Sequence, residues 1–293
     1  MAGRDGAVLE AVVVTHDSAE VLPACLAALA AAAVPVIVVD NASRDGCANV
    51  AEREGARVLR NRLNEGYGRA NNRGVRETAA RFVLIVNPDL VLAPGAADEL
   101  LRAAERYPDA GLLAPRIVEP DGRFFFQARS LLSPYLPNPR GRLDPPSGDC
   151  CAPFLSGACL MVPRDLFLAL GGFDERIFLF YEDDDLCRRV ADEGLALVHV
   201  HAAVARHARG RSSAPARGRL FRSRWHQAWS RAYASRKYGL PEPGLAVIVV
   251  NLAKAAAAAL TGRRRLVERY LGSAAGAWAW RRGRSALARE GLE

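Results

Sequence analysis

Six cysteines stand in the 293-residue chain, yet no two of them form a CxxC pair and none is set against a histidine at metal-ligand spacing. That counts against a disulfide scaffold and a cysteine–histidine metal site. Cys25, Cys47, Cys150, Cys151, Cys159 and Cys187 mostly sit in apolar runs, where free thiols behave as small hydrophobes. A reducing, cytoplasmic setting is expected. No charged-then-apolar leader opens the sequence, so a secretory signal is not expected. The longest apolar tract, 245–260, contains Asn251 and Lys254 and falls short of the ~20 apolar residues of a membrane span. There is no Walker loop and no proper GxGxxG, which disfavours nucleoside-triphosphate and dinucleotide binding. Internal repeats and recognised nucleic-acid modules are also missing, so no nucleic-acid partner is expected.

What is present is an apolar half and a lopsided charge. Residues 206–293 hold 19 basic and 4 acidic side chains, leaving 21 and 28 in residues 1–205. The front is therefore net acidic although the whole chain carries +8. The division predicts a catalytic domain over 1–205 and a basic, mainly helical extension over 206–293. Within the front, apolar runs at 9–15, 34–40, 56–60 and 82–87 read as buried parallel strands. Helices are expected between them at 18–33, 45–54 and 67–80. This alternation predicts an α/β architecture with helices flanking a mostly parallel sheet. Residues 119–153 are proline-rich and read as a long irregular excursion. A strand at 154–162, helices at 164–170 and 182–193, and a strand at 196–205 follow.

Ligands of such sheets bind beyond the carboxyl ends of the strands. Three polar clusters fall there: Thr15-His16-Asp17, Asp40-Asn41 and Asn87-Pro88-Asp89. Asp40 offers an acceptor for a nucleobase imide, or it caps the next helix together with Ser43. Asp89 offers a hard oxygen ligand to a divalent cation, or it closes a turn. The glycine-rich stretch 64–74, with Arg69 and Asn72, could meet phosphates or be an ordinary loop. His207 could complete a metal shell near Gly210 and Ser212, whereas His199 and His201 read as packing or surface histidines. Glu182-Asp183-Asp184-Asp185 opens a helix directly after the apolar run 177–181. Acids there either serve the helix N-terminus or, against an apolar wall, gain the raised proton affinity that suits a general base.

In this order, the segments VVVTHDS (12–18), VIVVDNASRDG (36–46), NEGYGRANNRG (64–74), VNPDL (86–90), FLSGACLMVPR (154–164), GGFDERIFLFYEDDDLCRR (171–189) and HARGRSS (207–213) resemble family 2 glycosyltransferases. The resemblance is strongest to the rhamnosyltransferase-like branch, which builds bacterial cell-surface polysaccharides. It implies the GT-A fold, a Rossmann-like mixed sheet flanked by helices, and inverting transfer of a sugar from a nucleoside-diphosphate sugar to an acceptor hydroxyl. On that resemblance Thr15, Asp17, Asp40, Asn41, Arg69, Asn72 and Asn87 hold the donor. Asp89 and His207 ligate Mg²⁺ or Mn²⁺, and Asp183 is the catalytic base. Ser156, Gly157 and Glu182 meet the acceptor. Asn87 stands where the family's metal motif begins with Asp, leaving one metal carboxylate. His16-Asp17 replaces the commoner Tyr-Asn.

The resemblance further implies a dTDP-rhamnose donor and a glycan or lipid-linked acceptor. The arginine-rich tail, with Trp225, Trp229, Tyr233 and Tyr238 at helical intervals, is expected to touch an anionic membrane surface. A helical cap or a homodimer contact are the alternatives. Two rival functions are a sugar-nucleotide-forming nucleotidyltransferase and a non-catalytic nucleotide- or glycan-binding relative.

Overall fold

The computed structural model of the protein describes residues 7–127, 129–133, 144–208 and 218–293. Gly210, Ser212 and prolines 134, 137 and 139 lie outside the described residues. The described residues form two compact bodies: one of 7–64, 69–173 and 183–208, the other of 65–68, 174–182 and 218–293.

The first body is built on one mixed sheet. β1 (Leu9–Thr15), β2 (Val36–Asp40), β3 (Arg57–Arg60) and β4 (Phe82–Val86) are mutually parallel neighbours in the order β3-β2-β1-β4. Their apolar, largely β-branched sequences match strands covered on both faces. α1 (Leu22–Ala31), α2 (Cys47–Arg53) and α3 (Tyr67–Arg76) connect them. α1 starts later than expected because the Ser18 carbonyl takes the amides of Val21 and Leu22 in a turn. Pro23 then sits in the first helical turn, where its missing N–H has no consequence.

Beyond β4 the chain adds β5 (Leu90–Leu92), α4 (Ala96–Arg106) and β6 (Ala110–Val118), none of which the sequence reading named. The 119–153 excursion contributes two short strands, β7 (Phe124–Phe125) and β8 (Cys150–Cys151). β9 (Cys159–Pro163) runs antiparallel to β4 and β6, wedged between them. It starts at Cys159, five residues after the expected 154. α5 (Arg164–Ala169) and α6 (Glu182–Asp192) follow. β10 (Ala196–His207) pairs parallel with β6 and antiparallel with β5, so His207 is the last residue of a strand rather than a residue beyond one. The core includes Val13, Val38, Leu84, Leu100, Leu113 and Met161, all essentially inaccessible. All six cysteines are free, and Cys25, Cys47, Cys159 and Cys187 are buried.

The second body is helical: α7 (Arg219–Lys237), α8 (Leu245–Leu260), α9 (Arg264–Arg281) and α10 (Ala286–Arg289). Trp225 and Trp229 are buried in its core with Phe178, Ala279, Ala286 and Leu287. This corrects the expectation that these tryptophans face a membrane: helical spacing reports a shared face but not what covers it. Gly272 and Gly276 let α9 approach α7 closely, since a Cβ would stand 2.5 Å from the Phe221 carbonyl oxygen and 2.1 Å from that of Trp225. His226 meets Glu290 at 2.7 Å, and Arg222 reaches the same carboxylate at 3.2 Å through Nε. Burial alone would raise Glu290, but the hydrogen bonds from His226 and Arg222, with the Arg222 charge, hold it down at about 2.

Candidate active site

Parallel register carries Thr15 and Asp40 to neighbouring strand ends. The Thr15 hydroxyl at 3.4 Å, the Ser43 amide at 3.3 Å and the Cys47 thiol at 3.4 Å all donate to Asp40 Oδ1. Burial pushes the Cys47 thiol up to about 11, so it stays a neutral donor. Among the described residues, no hydrogen bond to the other Asp40 oxygen is formed, which leaves Oδ2 as the acceptor an incoming group would find.

Asp17 ties two loops together. Its backbone is left-handed (φ 54°), its amide donates to Ser43 Oγ at 3.1 Å, and its carboxylate accepts the Arg44 amide at 2.7 Å. Asn41 is buried, and its amide bridges Asn61 at 2.9 Å and Asn64 at 3.0 Å. Arg73 donates to the Asn61 side chain as well. Ser43, Asn61 and Asn64 thus complete the strand-end network. Reading the ends of β1, β2 and β4 but not that of β3 missed Asn61, which follows β3 in the same way.

The glycine-rich segment 64–74 does not act as one unit. Residues 65–68 belong to the helical body, where the Tyr67 amide donates to the Phe178 carbonyl at 3.0 Å. Gly66 is left-handed (φ +86°), and a Cβ there would lie 2.4 Å from that carbonyl oxygen. Asn72 clamps the backbone of Phe173, donating to its carbonyl at 2.9 Å and accepting its amide at 2.8 Å. It is a buried loop clamp, not a group that the structure carries to the strand ends. Arg69 is half-buried on α3.

Asp89 follows β4 and is buried at the floor of a cavity of about 480 Å³ that His207, Val91, Val118, Glu119 and Arg206 also line. His207 Nε2 lies 3.2 Å from Asp89 Oδ1, and the Ala208 amide donates to the Asp89 carbonyl at 2.9 Å. One carboxylate and one imidazole facing a cavity are a donor set suited to a divalent cation whose remaining ligands come from a diphosphate. Among the described residues no group of three or more His, Cys, Asp or Glu has metal-holding geometry.

Asp183 is joined to this edge through β9. The Asn87 amide donates to the Ala158 carbonyl at 2.9 Å, and the next amide back, that of Gly157, donates to Asp183 Oδ2 at 2.9 Å. Two hydrogen bonds and a few backbone steps therefore separate Asp89 from Asp183, which keeps them within about 20 Å. A Cβ on Gly157 would crowd the Asp183 side chain at 3.1 Å. Ser156 shapes the turn into β9, its hydroxyl accepting the Ala158 amide at 3.3 Å. Burial raises the Asp183 carboxyl above its ordinary range, against the lowering effect of the Gly157 and Asp184 amides. Asp184, buried and hydrogen-bonded to the Ser130 hydroxyl at 2.9 Å, is pushed up to about 7 by burial and by Asp183. Asp185 is instead ion-paired with Arg189 at 2.8 Å, and Arg189 also donates to the carbonyls of Leu170 and Gly172. Glu182 is buried at the first position of α6. Phe180 and Tyr181, immediately before it, are both left-handed (φ 68° and 70°), a costly pair of conformations of the kind found at functional sites.

Known proteins resemble the chain in sequence and in fold. Residues 10–171 match the family profile "Glycosyl transferase family 2". An N-acetylglucosaminyl-diphospho-decaprenol L-rhamnosyltransferase of Mycobacterium tuberculosis is 35% identical over 243 residues, 70% of this chain and 78% of that protein. The low-salt glycan biosynthesis hexosyltransferase Agl10 of Haloferax volcanii is 27% identical over 54% of each chain. Among solved structures, the mannosyltransferase PcManGT from Pyrobaculum calidifontis, in complex with GDP-Man and Mn²⁺, superposes with a TM-score of 0.56. That match covers 97% of this chain and 78% of that one at 16% identity, a likeness of fold. S. aureus TarS 1–349 gives 0.56 over 94% and 92%, at 13% identity.

The family match and the sheet therefore define a sugar-transferring enzyme of the GT-A fold. The chain belongs to glycosyl transferase family 2. Membership decides against the nucleotidyltransferase and the non-catalytic binder.

Proposed function

We propose that the protein moves L-rhamnose from dTDP-rhamnose to a hydroxyl of a lipid-linked glycan, with inversion at the anomeric carbon. The observation that carries the mechanism is Asp183: a half-buried carboxylate of raised proton affinity, hung on the Gly157 amide one residue from the strand that abuts Asn87. The sugar and acceptor rest on the 35% identical rhamnosyltransferase.

Asp40 Oδ2 would accept the imide N–H of the pyrimidine, with Thr15, Ser43 and Cys47 holding its other oxygen in place. Asp17 and Asn41 would shape the wall of the nucleoside pocket, and Arg69 and Asn87 would lie along the diphosphate. Asp89 and His207 would hold Mg²⁺ or Mn²⁺, which when bound neutralises charge on the departing diphosphate. Asp183 would take the proton of the incoming hydroxyl as its oxygen bonds to the anomeric carbon from the face opposite the departing diphosphate. The carbon–oxygen bond to the phosphate breaks, and dTDP leaves with that electron pair. A base with raised proton affinity is well matched to this transfer. Ser156 and Gly157 would floor the acceptor pocket, and Glu182, next to Asp183 in the chain, is kept in that set. Contact of the basic extension with a membrane completes the reading.

Asp183→Asn is the test. Transfer should fall about 10²–10⁴-fold, while the thermal shift produced by dTDP with Mn²⁺ stays as in the parent. Undiminished turnover would remove Asp183 as base. A larger shift with UDP or GDP than with dTDP would remove the donor assignment.

A further inference from the structure

The sequence reading looked for a membrane contact in the tryptophans of α7, and those are core residues. The exposed apolar surface of the helical body lies elsewhere. In α8, Ile248, Ala255 and Ala258 are buried, with Ile248 packed against Ala274 and Ala277 of α9. The rest of the circumference faces outward and is nearly all apolar, Lys254 being the one charged residue of its sixteen. Leu245, Val249, Leu252 and Leu260 form a stripe at i, i+4, i+7 and i+15, with exposures from 48% to 90%. Lys254 projects well away from that stripe and lies 5.9 Å from the ring of Tyr270. A solvent-exposed apolar face of this kind is unusual on a helix unless something covers it.

Charge selects the occupant. Thr261 and Gly262 end the helix and are followed at once by Arg263, Arg264 and Arg265, all exposed and without an ion pair among the described residues. On α9, Trp278 is 48% exposed with the Arg282 guanidinium 5.8 Å from its ring, and Leu271 is exposed one heptad earlier. An exposed apolar stripe on α8, an exposed indole on α9 and a cluster of arginines are the features of helices that lie on an anionic bilayer. A second copy would bring an equally basic surface. No helix among the described residues is long and apolar enough to cross a membrane, and at about 1.5 Å per residue α8 is shorter than a ~30 Å hydrocarbon core.

We propose that α8 lies in the plane of an anionic phospholipid surface, with Leu245, Val249, Leu252 and Leu260 inserted and Arg263–Arg265 on the headgroups. This rests on the membrane contact of the proposed function, deepens it by naming the helix and the lipid class, and stands whatever the sugar or acceptor. The full-length protein would be floated with vesicles of phosphatidylglycerol and phosphatidylcholine, or of phosphatidylcholine alone. The parent should float with the anionic vesicles, at least tenfold less with neutral ones, and less as salt rises. Val249→Ser/Leu252→Ser/Leu260→Ser should lose flotation with its helical circular dichroism and thermal midpoint retained. Arg263→Gln/Arg264→Gln/Arg265→Gln should lose the preference for anionic lipid. Trp278 fluorescence, identified by difference from Trp278→Phe, should shift to the blue on anionic vesicles. The proposal fails if the triple serine variant floats like the parent. It also fails if the parent stays off vesicles, including the case of a dimer in sedimentation velocity that this variant converts to monomer.

Discussion

Glu290 of the helical body and the Asp183–Asp184 pair of the sheet body are held in opposite ways. In the helical body Glu290 has His226 and Arg222 against it and is held at about 2. In the sheet body half-buried Asp183 and buried Asp184 have amide and hydroxyl donors but, among the described residues, no cation, and both are raised, Asp184 to about 7. A charge that has its partner serves the fold. A charge without one is available to chemistry, and the difference lies in what the surrounding elements aim at it rather than in the residue type.

Mutations can break that contrast. The largest effect is expected from Asp89→Ala, which removes the carboxylate at the cavity floor. Transfer should fall by about 10²-fold or more, and Mn²⁺ should no longer increase the thermal shift given by dTDP. A metal effect that persists would move the cation elsewhere. Glu290→Gln should destabilise the protein by about 1–3 kcal/mol at pH 7, the scale of a lost charge-assisted bond, measured by urea unfolding. Because the folded Glu290 titrates below its unfolded value, this loss should shrink as pH falls from about 4.5 toward about 2.

Asp184→Asn should do the reverse. A carboxyl raised to about 7 favours the protonated folded state, so its contribution is complete at acid pH and disappears as pH rises from about 4 to 7. The variant should therefore match the parent near pH 4 and equal or exceed it in stability at pH 8. A strong destabilisation at pH 8 would mean that a cation pairs with this carboxylate in solution. The smallest expected effect is that of Gly157→Ala. Its added methyl group would press the Asp183 side chain at 3.1 Å, so turnover should drop several-fold with less than about 1 kcal/mol lost in stability.

Much of the parallel half of the sheet was legible. Val36–Asp40 and Phe82–Val86 are unbroken apolar runs bounded by polar strand ends, and those ends placed Asp40 and Asp89 correctly at one edge. β6 was harder to see because Pro115 lies within it, and proline argues against a paired strand. The structure accommodates it beside a register shift in β10 between Val200 and Val204. The direction of β9 was not readable, since an apolar run carries no sign of which way it points. The bond from Gly157 to Asp183 spans 26 residues. Each partner could be singled out by its own chemistry, but only the reversed strand brings them together. Asn72 misled because an asparagine in a glycine-rich helix start looks the same whether its amide meets a phosphate or a backbone 101 residues away.

That reversed strand divides the labour of the catalytic edge. Parallel strands present the loops that leave them, so the proposed donor site draws on residues 15–17, 40–43 and 87–89. β9 presents the loop that enters it, so Ser156 and Gly157 reach the same rim from the other direction along the chain. Residues ahead of β9 can therefore be lengthened or rewritten while the strand ends of the proposed donor site keep their register.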